Sequence, residues 1–206
     1  LLKTKNIGTD SDRALLLDFQ ATLETKPEKA IKLEKDALAQ IENITADNAR
    51  LVSNLHANLG GLYRMNGHPD LAREHMEKSI SLLDQFNLLH INDSIPQIAN
   101  YAMFLTEQQE PERGISELQK LSGIIKEYHS DHCLDYAKVQ ETLGTIYLMT
   151  ANLPQAKTHF KRAFKIYEKI WADEPEMIEA KYQEIQELYP QIGFCIGKNL
   201  SGLLTK

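Results

Sequence analysis

The sequence repeats itself every 42 residues, and this period limits the possible folds more than any other feature. Segment 58–82 is matched by segment 100–124 and again by segment 142–166. Large and small residues recur in the same order at six positions, namely Leu59/Tyr101/Leu143, Gly60/Ala102/Gly144, Tyr63/Leu105/Tyr147, Ala72/Gly114/Ala156, Met76/Leu118/Phe160 and Ser79/Leu121/Ala163. A fixed period of this length predicts one small structural unit that is copied along the chain and stacked on itself.

The small residues of each copy indicate closely packed pairs of helices. Each first helix carries a small residue, and so does each second helix, at Gly60, Ala102, Gly144, Ala72, Gly114 and Ala156. A small residue lets the ridge of one helix enter the groove of its neighbour, and the large residues then fill the remaining space. The assignment of these residues to two helices of a helix-turn-helix pair, and with it an all-α fold, is what the family resemblance described next implies.

The order of these positions resembles the tetratricopeptide repeat signature, in which the pattern LG...Y...A...F...A marks one helix-turn-helix unit. The usual closing proline is replaced by Asp84, Lys126 and Glu168, and the period of 42 residues exceeds the usual value of about 34. Each helix is therefore expected to run on by roughly one turn. The resemblance implies a right-handed α-α superhelix, a solenoid of about four and a half repeats.

One junction resembles a more specific class, the 42-residue repeats of kinesin light chains and of many bacterial proteins. That class reads DHP-x-(V/T)-A-x-T-L-x-N-L-A-x-L-Y, and segment 131–147 reads DHCLDYAKVQETLGTIY. The shared residues are Asp131, His132, Ala137, Thr142, Leu143 and Tyr147, with Cys133 in the place of the proline. The resemblance implies a concave face that binds peptide segments or protein surfaces, and it implies no catalysis.

We expect one solenoid over residues 1–206, with repeats at about 12–42, 46–87, 93–129, 131–172 and 175–206, the last of them partial or capping. Pro27, Pro69 and Pro111 lie 42 residues apart and are predicted to begin second helices, where the missing N–H of proline is harmless. The first pair departs from the pattern, because Asp18 and Glu34 stand where a small and a large apolar residue are expected. Terminal repeats are often atypical in this way.

The resemblance also implies which first-helix residues face the groove. The candidate peptide-binding residues are Asn54, Asn58, Arg64, Asn100, Met103, Lys138, Thr142 and Thr145. An asparagine offers both a donor and an acceptor, so Asn58 and Asn100 could pair with the backbone of an extended peptide. Arg64 and Lys138 could hold a carboxylate, and Met103 offers an adaptable apolar contact. The alternative is that these are ordinary solvated residues on helix surfaces.

Composition argues against several other classes of protein. The net charge is −6 and the Lys and Arg residues are scattered along the sequence, so the sequence predicts no basic surface for the phosphates of a nucleic acid. No apolar run approaches the length of a membrane span and no signal peptide is apparent, so a cytoplasmic location without membrane contact is expected. His129, Asp131, His132 and Cys133 resemble metal ligands by type, but zinc spacing is missing and loop hydrogen bonding explains them. No metal, cofactor or catalytic motif is expected.

The leading hypothesis is a non-enzymatic interaction module that holds a peptide or helix of a partner protein in its groove. The alternative is a peptide-sensing regulatory domain of a bacterial signalling or transcription regulator, whose output domain would lie outside this sequence. The oligomeric state is left open.

Overall fold

The computed structural model describes residues 8–190, and this range contains helices and turns without a strand. Nine helices are described: α1 Asp10–Leu23, α2 Pro27–Leu38, α3 Ala49–Met65, α4 Pro69–Gln85, α5 Ser94–Glu107, α6 Pro111–Tyr128, α7 Leu134–Met149, α8 Leu153–Ile170 and α9 Pro175–Leu188. The predicted all-α class is confirmed. The predicted capping segment after α9 lies outside the described residues.

Prolines mark the starts of the second helices as the sequence predicts. Helices α2, α4 and α6 begin at Pro27, Pro69 and Pro111, and α8 begins one residue before Pro154. Proline fixes φ near the helical value and needs no intrahelical partner for its nitrogen in the first turn. The fixed φ of proline and its missing N–H therefore place the start of the second helix in each of these repeats.

Three first helices begin three residues away from the positions that the sequence predicts, and one of them is α3, which is expected from about Ala46 but begins at Ala49. The sequence predicts the start of α1 at about Arg13, but the helix starts at Asp10 because Thr9 forms a capping box with Asp12. It predicts the start of α7 at about Asp131, but the helix starts at Leu134, where the sulfur of Cys133 accepts the N–H of Tyr136. The residue that replaces the family's proline therefore caps the helix.

The two compact units of the chain divide at Phe104. In the first unit, α1 packs against α2 and α3 against α4, while α2 also contacts α3. The backbone at Gly60 lies so close to Met76 that a Cβ at this position would stand 2.5 Å from the Cγ of Met76. Ala14, Ala37 and Leu55 form a buried cluster where the first three helices meet.

The second unit repeats this construction with α7 and α8. A Cβ on Gly144 would stand 2.8 Å from the ring of Phe160, which shows how closely the two helices approach. Phe164 stacks on Tyr182 of α9 with the ring centroids 4.4 Å apart. Tyr182 is buried, and Trp171 stacks on Tyr167. Helix α9 therefore covers the end of the fourth pair with an aromatic surface.

Candidate functional site

An open pocket of about 530 Å³ lies within the first unit, between residues of α1, α3, α4 and α5. Its lining includes four of the predicted groove residues, Asn54, Asn58, Arg64 and Asn100. The structure therefore brings together the polar positions that the repeat spacing singled out in the second and third copies. Met103, also predicted, is half-buried and does not line this pocket.

Asn54 is held by a buried hydrogen-bond network that the sequence did not predict. The Oε1 atom of Gln97 accepts from the hydroxyls of Ser53 at 2.9 Å and Ser79 at 2.5 Å. The Nε2 atom of Gln97 then donates to Oδ1 of Asn54 at 2.6 Å. Because both serines are fully buried, this network fixes the rotamer of Gln97, and it uses only the Oδ1 acceptor of Asn54, a residue that lines the pocket.

Whereas Asn54 uses its amide acceptor, Asn58 uses its amide donor. Its Nδ2 atom donates to Oδ1 of Asp18 at 2.9 Å and to Oε1 of Glu34 at 3.1 Å, so both amide hydrogens are used and the oxygen is left as an acceptor. Burial of the carboxyl, assisted by the charge of Asp18, raises the pKa of Glu34 to about 8. Asn58 therefore has a structural role in the first hairpin besides its place in the pocket.

Two further pocket residues, Asn100 and Asp93, differ in whether their side chains already have polar partners. Asn100 is exposed, and the described residues give its side-chain amide no hydrogen-bond partner. Asp93 also lines the pocket, but its Oδ2 atom lies 2.5 Å from Nη2 of Arg50 in an ion pair. The pocket thus offers a donor at Asn54, an acceptor at Asn58 and both at Asn100.

Three predicted groove residues lie on α7 in the second unit. Thr142 and Thr145 donate their hydroxyls to the backbone oxygens of Lys138 and Glu141 on the same helix. Lys138 is exposed and lies 3.8 Å from Asp135 in an ion pair. Their part in ligand binding stays a prediction.

A histidine pair in the first unit was missed by the sequence reasoning. Nδ1 of His56 and Nδ1 of His75 are 2.9 Å apart, and the ring of His75 stacks on Tyr63. Burial, with His75 as the next cause, lowers the pKa of His56 to about 4. Burial also lowers the pKa of His75.

The second unit holds an equivalent arrangement in which Gln140 replaces one histidine. Gln140 contacts Nδ1 of His159 at 2.9 Å, and His159 stacks on Tyr147. The spacing of 84 residues between the two sets is the signal that could have found them. A recurrence at twice the repeat period indicates helix-pair packing instead of ligand binding.

The loop before α7 contains the residues that resemble metal ligands by type. Asp131 contacts the ring of His132, and Cys133 donates to the backbone oxygen of Ser130 at 3.1 Å. Among residues 8–190, no group of three or more His, Cys, Asp or Glu side chains is placed to hold a metal ion. In the same range, no helix is both long and apolar enough to cross a membrane.

Comparisons with known proteins agree with this architecture. Residues 94–169 match the tetratricopeptide repeat family model. Curated protein sequences give no significant match. Among solved structures, kinesin light chain TPR-like repeats from Podosopora anserina superpose with a TM-score of 0.68 at 13% identity, covering 83% of this chain and 80% of that one. These findings confirm the resemblance drawn from the repeat pattern.

Two further structures share the fold at low identity. BtubC (BKLC) from P. vanneervenii superposes with a TM-score of 0.64 at 20% identity over 77% of this chain, and this chain spans 62% of its length. MamA superposes with a TM-score of 0.55 at 14% identity, covering 76% of this chain and 79% of that one. At these identities the likeness concerns the fold alone.

Proposed function

Because this chain contains tetratricopeptide repeats, we propose that it is a non-enzymatic interaction module that holds an extended peptide of a partner protein in the pocket of its first unit. The tetratricopeptide repeat fold is a generic scaffold for protein–protein interaction, and stacked helix pairs offer extended binding surfaces. The volume of the pocket falls within the range of about 300–1,000 Å³ that is usual for binding sites.

The observation that carries the proposal is the set of oriented side-chain amides in the pocket. Asn54 keeps its donor, Asn58 keeps its acceptor, and Asn100 keeps both. An extended peptide presents N–H and C=O groups alternately, so amides of this kind can bind its backbone without reading its sequence. Since the Gln97 network already fixes Asn54, less side-chain entropy is lost on binding.

The proposal is tested by selecting peptides from a random phage-displayed library on the whole 206-residue chain. For the selected peptides, the Asn54→Ala/Asn100→Ala variant should weaken binding at least several fold while it stays folded at the assay temperature, although its thermal midpoint falls because the Nε2 donor of Gln97 loses Asn54 as its acceptor. Asn92→Ala is the matched control, because Asn92 is exposed near the pocket and does not line it. Fluorescence anisotropy measures the affinities and circular dichroism measures the midpoints.

Asn58 is left unchanged in that test because it also stabilises the first hairpin. Asn58→Ala would remove the donor shared by Asp18 and Glu34, so a loss of affinity could follow from a loss of structure. If every selected peptide binds the double variant as tightly as the wild type, the pocket is not the binding site.

The other predicted groove residues, Lys138, Thr142 and Thr145, lie on α7 in the second unit and are tested separately. Lys138→Ala is expected to weaken the selected peptides less than the double variant does, because Lys138 is exposed and already paired with Asp135.

A further inference from the structure

The first hairpin breaks the repeat pattern at the two positions where the helices of a pair touch. Asp18 occupies the place of Gly60 and Gly144, and Glu34 occupies the place of Met76 and Phe160, counted by the 42-residue period. In the second and fourth pairs these positions bring a glycine against a large apolar side chain. Two carboxyl groups at such a contact cost stability, and departures of this kind are expected at functional sites.

The two carboxyl groups form one cluster behind the pocket wall. Asp18 lines the pocket, while Glu34 is only 1% exposed and its Oε2 atom is buried without a hydrogen-bond partner. The Nδ2 atom of Asn58 lies within 3.1 Å of an oxygen of each carboxyl, which fixes the pair at the meeting point of α1, α2 and α3. The repeat break, the orphaned oxygen and the pocket are separate observations at one place.

The cluster also lacks the positive charge that paired carboxyl groups usually have. Within residues 8–190, neither Asp18 nor Glu34 forms an ion pair with a Lys or Arg side chain, although Arg64 also lines the pocket, whereas Asp93 on the same pocket is paired with Arg50. Burial raises the pKa of Glu34 to about 8, so most of this carboxyl is protonated near neutral pH. A carboxyl pair that is buried at Glu34, half-buried at Asp18 and without a counter-ion is an incomplete electrostatic arrangement.

Resting on the proposed peptide-binding function, we propose that the Asp18–Glu34 pair receives the side chain of a lysine or arginine in the bound peptide. The cation contacts Asp18 at the pocket wall, and its field favours ionisation of Glu34 behind it. Glu34 then releases its proton to solvent, and two carboxylates face one cation and the Asn58 amide. Peptide binding is therefore linked to the loss of a proton.

The chemistry of the site favours an organic cation over a metal ion. A calcium or magnesium site takes about six or more oxygen ligands, and the described residues place no group of three acidic, His or Cys side chains together. An ammonium or guanidinium group needs only one well-placed carboxylate and a few acceptors, which Asp18 and the Asn58 oxygen supply.

The test uses peptides selected from the random library whose binding is lost in the Asn54→Ala/Asn100→Ala variant. Replacing their one essential lysine by norleucine, or arginine by citrulline, should weaken wild-type binding roughly tenfold. The same replacement should change binding to the Asp18→Asn/Glu34→Gln variant less than about twofold, because that variant has no charge to lose. The wild-type affinity for the basic peptide should rise with pH between about 6.5 and 8.5.

A second measurement does not depend on any variant. In the wild-type chain with labelled glutamate, the Glu34 carboxyl carbon should titrate near the pKa given above, and adding the peptide should move that titration to lower pH. The titration reports the proton release directly, and a purely structural role of Glu34 would not move it.

Each outcome supports or overturns the inference. This inference would be overturned by pocket-dependent peptides that need no basic side chain. It would also be overturned by peptides that bind the wild type and the Asp18→Asn/Glu34→Gln variant with equal affinity. In both cases the proposed function would stand. Peptides that lose their binding when the amino terminus is acetylated, and not when the lysine or arginine is replaced, would also overturn this inference, because the bound cation would then be the terminal amine. If no pocket-dependent peptide is found, the proposed function fails and this inference fails with it.

Discussion

The turn between the two helices of a pair has a residue with positive φ at the same position of three repeats, and only one of these residues is a glycine. Gly67, Gln109 and Ala151 lie 42 residues apart and have φ values of 75°, 66° and 59°. Glycine adopts positive φ without steric cost, whereas for other residues the left-handed region costs roughly 1–2 kcal/mol. The third and fourth hairpins therefore contain strain that the second avoids.

Ala151→Gly is expected to stabilise the second unit by about 0.5–1 kcal/mol, because the strain relieved exceeds the extra chain entropy that glycine loses. Urea unfolding followed by the fluorescence of Trp171, which stacks on Tyr167 in the same unit, measures the change. Thr150→Gly is the control, because Thr150 has φ −93° and should lose stability. A loss of similar size in both variants would show that Ala151 is unstrained.

The candidate site could be predicted only in part at this scale. Repeat spacing placed Asn54, Asn58 and Asn100 together, because residues one turn or one period apart share a face. Repeat spacing could not show that the amide of Asn58 donates its hydrogen bonds to two carboxyl groups. The buried Ser53 and Ser79 were also missed, since small polar residues resemble packing residues in a pattern until their partner is known.

At the scale of the helix pair, the approach of two helices depends on one small residue. Gly144 is buried, and a Cβ there would lie 2.8 Å from the ring of Phe160. The sequence predicts this contact from the recurrence of small residues, whereas the helix starts are predictable only where proline sets them. The caps at Thr9 and Cys133 depend on side-chain geometry that the spacing does not encode.

Gly144→Leu is expected to force α7 and α8 apart and to destabilise the second unit by about 1–3 kcal/mol or more, as overpacking does. Gly123→Ala is the matched control in the same unit, because Gly123 lies in α6 with open space around it, and a Cβ added there would meet no other atom within 4 Å. That control should gain about 0.5–1 kcal/mol from helix propensity. Trp171 fluorescence in urea measures both, and unchanged unfolding of Gly144→Leu would contradict the close approach.

For the molecule as a whole, buried titratable groups make stability depend on pH in two opposite ways. Burial lowers the pKa of His56 to about 4, so the unfolded chain binds the proton first as pH falls below about 6.5, and stability is lost on the acid side. Glu34 has its pKa raised, so the folded chain keeps a proton that the unfolded chain has already released. The contribution of Glu34 is therefore lost on the alkaline side.

The unfolded chain still releases histidine protons near pH 6.5, so Glu34 is isolated by the difference in slope between the wild type and Glu34→Gln, in which the histidine contribution cancels. Between about pH 6.5 and 8 the Glu34 contribution to the free energy of unfolding, taken from that difference, should fall as pH rises, by at most about 1.4 kcal/mol per pH unit, and level off above the folded pKa of about 8. Glu34→Gln should remove the fall, because a side-chain amide has no proton to lose in this pH range. Asp18→Asn should move the fall to lower pH, because the charge of Asp18 is the second cause of the raised pKa. Urea unfolding followed by circular dichroism measures the slopes, and equal slopes in the wild type and Glu34→Gln would show that Glu34 is ionised in the folded chain throughout this window.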